Sequence, residues 1–182
     1  VYDMKQDHAA LYNAGRGRVR FIEVPRMSYF MIDGAGNPAT APAYRDALNA
    51  LYRSAFALKF NYQRYHLNKE YVLPPLEALW WHPDEELLPV HDLMRMKDEW
   101  TWTLISPIPG ILDSDFVART MDHLRAANDA PSIEQVRIET LDEGLCAQLL
   151  HVGAYSDEGD DIERLHAQIR KRGYELRGRH HE

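Results

Sequence analysis

The chain has 182 residues, of which 45% are hydrophobic and 27% charged, and its formal net charge is −7 at pH 7. This length and composition favour one globular domain that buries its core without a metal or a disulfide. The negative balance argues against nucleic-acid binding, because phosphate contacts need a positive surface. The one basic cluster, over residues 170–179, follows a predicted helix that opens with acids, an order that complements the helix dipole.

The single cysteine, Cys146, excludes an intrachain disulfide and fits a reducing compartment. Its apolar neighbours favour a small buried hydrophobe over a nucleophile. No apolar run is long enough to cross a bilayer, and residues 1–10 lack the apolar core of a signal peptide. We therefore expect a cytoplasmic protein with no membrane partner.

The first half of the chain predicts two strands, a helix and two more strands. Residues 19–34 hold two apolar runs separated by Pro25-Arg26, which is typical of a hairpin. An amphipathic helix is expected from Pro42, with Thr40 as a candidate cap. Further strands are predicted over residues 71–81 and 100–105, and a connecting helix over about 113–129.

The second half repeats this order. Residues 136–153 hold two apolar runs around an Asp142–Gly144 turn, and a helix follows from Ser156 or Asp157 to a stop at Gly173. A strand begins at Tyr174, and the second copy is then one strand short. The pattern predicts an α+β fold with a pseudo-twofold axis and a cleft where the two sheets meet.

The tryptophans indicate a binding surface. Trp80 and Trp81 are adjacent in a predicted strand and must face opposite sides of the sheet, while Trp100 and Trp102 share one face. Four tryptophans on two strands favour a surface that stacks on a flat ligand. The alternative is that they pack the sheet against helices.

Glu77 is the most unusual polar residue in this region. It lies between Leu76 and Ala78 in an apolar strand, on the Trp81 face. A carboxylate among aromatic rings either has a raised pKa or waits for a partner. It could attract a cationic ligand or perform acid–base work. The alternatives are a solvated strand face and an internal pair with an arginine.

The motifs of common enzyme classes are missing. The nine histidines do not form a metal-spaced set; His180 and Glu182 would offer two ligands at most, so we predict no metal. No P-loop, dinucleotide fingerprint or nucleophile elbow is present.

Several stretches together match a known family. They are IEVP at 22–25, PPLEALWW at 74–81, WTWTL at 100–104, LCAQLLHVGAY at 145–155, SDE at 156–158, GYEL at 173–176 and HHE at 180–182. Over nearly its whole length the chain resembles the stand-alone GyrI-like small-molecule-binding proteins of the SOUL/GyrI superfamily. The resemblance implies one domain over residues 1–182, built as a tandem repeat of two βαββ-type modules with antiparallel sheets, at about 18–107 and 134–182.

The resemblance also implies function. Relatives bind lipophilic or cationic compounds beside a central glutamate and stacking aromatics, and some are fused to DNA-binding domains, for which the roughly eighteen residues before the first strand leave no room. Other relatives are hydrolases that open cyclopropane rings of DNA-alkylating natural products. No cofactor is implied. The expected partner is a small molecule, and the protein is expected to be a monomer or a homodimer.

Site residues follow from the same resemblance. Glu182 would orient or deprotonate water and Tyr155 would donate a hydrogen bond to a developing oxyanion. The full set expected to bind ligand is Trp80, Trp81, Glu77, Trp102, Tyr155, His151 and Glu182. The alternatives without a functional role are solvent exposure for Glu182 and packing for Tyr155.

One departure from the family bears on Glu182. Relatives continue past the HHE stretch into a final strand, whereas this sequence stops at Glu182. Three functions stay open: a module that senses or sequesters lipophilic compounds, which we favour, a hydrolase that acts on strained electrophiles, and a partner-binding adaptor. A hydrolase needs a carboxylate within about 3 Å, or one water, of the reacting atom, whereas a binder needs only nearby charge.

Overall fold

The computed structural model describes residues 1–66, 69–86, 88–128 and 130–182. Its elements, in chain order, are the helices and strands α1 Met4–Asp7, α2 Ala9–Tyr12, β1 Arg20–Val24, β2 Met27–Ala35, α3 Pro42–Tyr65, β3 Glu77–Trp81, α4 Val90–Leu93, β4 Thr101–Pro107, α5 Ser114–Ala127, β5 Arg137–Leu141, β6 Gly144–Gln148, α6 Gly159–Lys171 and β7 His180–His181.

Two antiparallel sheets organise the chain. The larger has five strands in the order β5-β2-β4-β3-β7, and the smaller pairs β1 with β6. Helices and antiparallel strands in one chain confirm the predicted α+β class.

The larger sheet has an apolar cluster on each face. On one face α3 and α5 cover Phe30, Ile32, Trp102 and Leu104, all at most 1% exposed. On the other face a smaller cluster holds Tyr29, Met31, Leu79 and Ile105. The run from Tyr29 to Ile32 is therefore buried on both sides, because successive strand residues point to opposite faces.

The long helices begin near their predicted positions. Pro42 opens α3, where its missing N–H costs nothing; the cap residue is Ala41 rather than Thr40, and no side chain caps the helix. Asp113 caps α5 by accepting hydrogen bonds from the N–H groups of Asp115 and Phe116. The predicted end of this connecting helix, residue 129, lies outside the described residues.

The last strand is shorter than expected. Residues 174–179 are not strand, and Gly178 there has a φ of 71°, a left-handed conformation that interrupts extended backbone. His180 and His181 then pair with Trp80 and Leu79. Among the residues described, no helix is long and apolar enough to cross a membrane.

Candidate functional site

Strand β7 sends its side chains to both faces of the sheet. Residues directly opposite each other on paired strands share a face. His180 lies opposite Trp80, and Glu182 exchanges two main-chain hydrogen bonds with Ala78, at 2.8 and 2.9 Å. His181 lies opposite Leu79, on the face of Glu77. Two separate groups of titratable side chains result.

The first group is the carboxyl cluster, which we define as Glu158, His180 and Glu182. One ligand atom from each of the three lies within 4.8 Å of the others. His180 Nε2 is 3.2 Å from Glu182 Oε1. Glu158 is the residue immediately before α6, so the cluster connects the start of that helix with the end of β7.

Burial and like charge set the protonation of the carboxyl cluster. Burial raises the pKa of Glu158, and the negative charge of Glu182 and a hydrogen bond to Glu182 raise it further. The positive charges of His180 and His151 lower the same pKa, but the raising effects are larger. Glu158 therefore keeps its proton to higher pH than an ordinary glutamate, as a general acid must. The cluster thus places this carboxyl group within reach of a second carboxyl group and an imidazole.

Aromatic side chains lie beside the carboxyl cluster. Trp80 stacks on Tyr44, with ring centroids 6.1 Å apart, and meets Trp100 edge-on at 5.5 Å. Burial raises the pKa of Tyr44, and the charges of Tyr155 and Glu182 raise it further. Tyr155 is 71% exposed, and the side chains of His180 and Glu182 are 27% and 26% exposed, so the cluster is reached by solvent.

Trp102 has a structural place. It is fully buried, its indole N–H donates to the Gly36 carbonyl oxygen at 3.2 Å, and its ring meets Tyr44 edge-on at 5.1 Å. A Cβ on Gly34 would fall 2.0 Å from the Trp102 ring, so the indole fills the space above that glycine. Trp102 therefore presents no surface to a ligand in this structure, because α3 covers its face of the sheet.

Trp80, Trp81 and His151 occupy three different environments. Trp80 is only 8% exposed, and its indole nitrogen is buried without a hydrogen-bond partner among the described residues. Trp81 lies on the opposite face, where the guanidinium of Arg179 stacks 3.4 Å from its ring centroid. His151 contacts Asp161 at 2.8 Å and the Ala154 carbonyl oxygen at 3.0 Å, near the start of α6.

The second group lies on the opposite face and involves Glu77. His181 lies between two carboxylates, with Nε2 3.0 Å from Glu77 and Nδ1 3.0 Å from Glu143. Tyr12 donates a hydrogen bond of 2.9 Å to the other oxygen of Glu77. The side chains of Glu77, Glu143 and His181 are 11%, 20% and 24% exposed.

Partners inside the protein decide the charge of the second group. Burial lowers the pKa of His181, but hydrogen bonds to Glu143 and Glu77 raise it by more, to about 9. Imidazolium is therefore the form at neutral pH. Glu77 has internal partners, so it does not present the unpaired carboxylate that a cationic ligand would need. Of the alternatives for Glu77, the structure shows the internal pair, and the partner is His181 rather than an arginine.

Two residues of this region, Glu158 and Tyr44, were not predicted as site residues. Glu158 belongs to the acids that open a predicted helix, and Tyr44 lies in the amphipathic helix predicted from Pro42. The available signal for Glu158 was its place in the SDE stretch, which carries the family resemblance.

No family model and no curated protein matches the chain. Several solved structures are similar to it. An uncharacterized conserved protein from Listeria innocua is 26% identical with a TM-score of 0.82, covering 100% of this chain and 88% of its own. A hydrolase from the same organism is 25% identical with a TM-score of 0.77, covering 100% and 92%. A hydrolase encoded by lin2189 is 25% identical with a TM-score of 0.76, covering 94% and 82%.

Proposed function

We propose that this chain is a hydrolase that adds water to a small, flat, lipophilic electrophile at the carboxyl cluster. The observation that carries the proposal is the geometry of the cluster, in which Glu158, whose pKa is raised, lies within reach of Glu182 and His180. An acid and a base within one cluster are what general acid–base hydrolysis requires. The likeness to two hydrolases along almost the whole chain supports the same class of reaction.

In the proposed reaction Glu158 is the general acid and Glu182 is the general base. Glu182 accepts a proton from water, and the water oxygen bonds to the electrophilic carbon. The strained carbon–carbon bond breaks, and its electron pair moves onto a conjugated carbonyl oxygen of the substrate, which becomes an oxyanion and takes the proton of Glu158. Transfer of the new proton from Glu182 to Glu158 restores the site, and the product is substrate plus water. His180, 3.2 Å from Glu182, orients the base.

The neighbouring rings define the substrate class. Tyr155 is exposed beside the cluster and would donate a hydrogen bond to the developing oxyanion. Tyr44 and Trp80 stack on each other with an interplanar angle of 19°, and the partly exposed Tyr44 ring suits contact with a flat ring system. The family resemblance adds that the electrophile is a cyclopropane of a DNA-alkylating natural product.

The wider architecture is part of the same proposal. The chain is a GyrI-like domain whose two βαββ-type modules enclose a pseudo-twofold cleft. Its partner is a small molecule that it meets in the cytoplasm, as a monomer or a homodimer. The antiparallel pairing of the strands agrees with the antiparallel sheets of such modules.

The second candidate function is binding without turnover. The high exposure of Tyr155 favours it, because an open aromatic surface is enough to sequester a lipophilic compound. The two candidates make different demands on Glu182: binding uses its charge alone, whereas hydrolysis uses its basicity. Glu182→Gln removes both, so the fate of the compound separates the two functions: hydrolysis adds one water to it, whereas binding leaves it intact.

The test is mass spectrometry of a cyclopropane-bearing alkylator incubated with the protein. Wild type is expected to yield the compound with the mass of one added water, and Glu182→Gln and Glu158→Gln to lose at least about a hundredfold in rate, as removal of acid–base groups does. Glu175→Gln, on an exposed residue of the same C-terminal region, is the control and should match wild type. Intact compound with quenched tryptophan fluorescence would instead establish the binding function.

A further inference from the structure

A depression of about 250 Å³ lies on the surface between the loop before β1 and the first turns of α6. It is separate from the carboxyl cluster and shares no residue with it. The lining combines guanidinium groups, one carboxylate and aliphatic side chains, from Arg16, Gly17, Leu150, Val152, Asp161 and Arg164. No function described above uses this site.

The charge of Asp161 is already offset inside the protein. One carboxylate oxygen lies 2.8 Å from Arg164 Nη2, and the other lies 2.8 Å from His151 Nδ1. The hydrogen bond to Asp161 is the main cause that raises the pKa of His151. Both oxygens are therefore occupied, and Asp161 is not available to hold a cation.

Arg16 is the unpaired charge of this depression. Its guanidinium has no hydrogen-bond or ion-pair partner within residues 1–66, 69–86, 88–128 and 130–182. Acids outnumber bases in the chain, 28 to 21, yet no described carboxylate offsets the charge of Arg16. Together Arg16 and Arg164 outweigh Asp161 by one positive charge, which fits a monoanion.

The remaining lining is apolar. Leu150 and Val152 are 42% and 54% exposed, which leaves aliphatic surface in contact with water. A β-bridge between Arg16 and Leu150 fixes the arginine loop against this surface. A ligand that covers the aliphatic side chains while its charge meets Arg16 would satisfy both features.

We infer that this depression binds a small amphiphilic monoanion, a carboxylate on a short alkyl chain, with the carboxylate between Arg16 and Arg164 and the chain on Leu150 and Val152. A volume of about 250 Å³ is below that of drug-sized pockets and holds roughly eight water volumes, which is the size of hexanoate. The inference rests on this site alone and does not depend on the proposed hydrolysis.

The experiment is a titration followed by ¹H–¹⁵N NMR with four probes: hexanoate, 1-hexanol, hexylammonium and inorganic phosphate. Hexanoate is expected to shift the amide signals of Gly17, Leu150 and Val152 at saturation and to bind at least tenfold more tightly than the other three. Arg16→Gln should weaken hexanoate about tenfold, since it removes a charge-assisted contact. Val152→Asp should weaken it as well, because a carboxylate would replace the aliphatic surface on which the alkyl chain lies.

Two control variants keep the test specific. Arg119→Gln removes an exposed arginine from α5, and Val72→Asp alters an exposed valine outside the depression; both should bind hexanoate as wild type does. If 1-hexanol bound as tightly as hexanoate, the role of the arginines would be overturned. If phosphate bound as tightly as hexanoate, the role of Leu150 and Val152 would be overturned. Absence of shifts at these amides, or hexanoate binding unchanged in Arg16→Gln, would overturn the inference as a whole.

Discussion

Titration of His181 should control the stability of the protein at alkaline pH. The imidazolium lies between Glu77 and Glu143 and has a pKa of about 9, whereas an unfolded histidine titrates near 6.5. A raised pKa in the folded state stabilises the protein fully below the unfolded value. That contribution is lost as the pH rises through about 9.

The size of the effect follows from the same two values. Raising a pKa from 6.5 to about 9 corresponds to an upper bound of about 3 kcal/mol in the free energy of unfolding. The His181 side chain is 24% exposed, so solvent screening reduces this bound only in part. The loss would be a substantial fraction of the 5–15 kcal/mol, roughly, that stabilises a typical domain.

The assay is urea unfolding at several pH values between 6 and 9.5, for wild type and His181→Gln. The difference in unfolding free energy between the two proteins should be largest near pH 6 and should shrink as the pH passes 9. His123→Gln, at an exposed position of α5, should follow wild type throughout. A wild-type advantage over His181→Gln that is the same at pH 6 and pH 9.5 would refute the assignment of a charged His181.

Two further predictions concern packing and the Glu77 partners. Gly34→Ala should destabilise the protein by about 3 kcal/mol, because the new Cβ would lie 2.0 Å from the Trp102 ring. Gly110→Ala is the control and should change the melting temperature little, because the space around Gly110 is open. Equal melting temperatures of the two variants would contradict the close approach of Gly34 to Trp102. Tyr12→Phe should cost about 2 kcal/mol in urea unfolding, because Glu77 loses a hydrogen bond of 2.9 Å. Unchanged stability would mean that water replaces the hydroxyl.

Much of the fold follows from local patterns. Period-two alternation placed Trp80 and Trp81 on opposite faces, and the register, in which Trp80 pairs with Trp102 and Trp81 with Thr101, confirms it. Spacings of three and four predicted α3 with its start at Pro42. The tandem repeat and the pseudo-twofold cleft stay predictions.

The partners of Glu77 were beyond a local pattern. Alternation states which residues share a face of a strand, but not which strand comes alongside. Glu77 and His181 are 104 positions apart, and they meet because β7 pairs with β3 rather than with β6. The internal partner of Glu77 is therefore the imidazole of His181 rather than an arginine.

The accessibility of Trp102 was also beyond a local pattern. The sequence placed it on the face of Trp80, but α3 packs over that face and the space above Gly34 admits the ring. Burial of this kind depends on tertiary packing, which overrides any inference from aromatic content. The exposed ring beside the carboxyl cluster is instead that of Tyr155, which the family resemblance did bring forward.

The most direct test of the proposed function is a reaction of a cyclopropane-bearing alkylator in ¹⁸O-labelled water, with product and protein both weighed by mass spectrometry. Hydrolysis at the cluster predicts a product that carries one ¹⁸O atom, a protein of unchanged mass, and a rate of product formation at least about a hundredfold lower for Glu182→Gln. Recovery of unlabelled, intact alkylator from wild type, or a covalent adduct on the protein, would contradict hydrolysis at the carboxyl cluster.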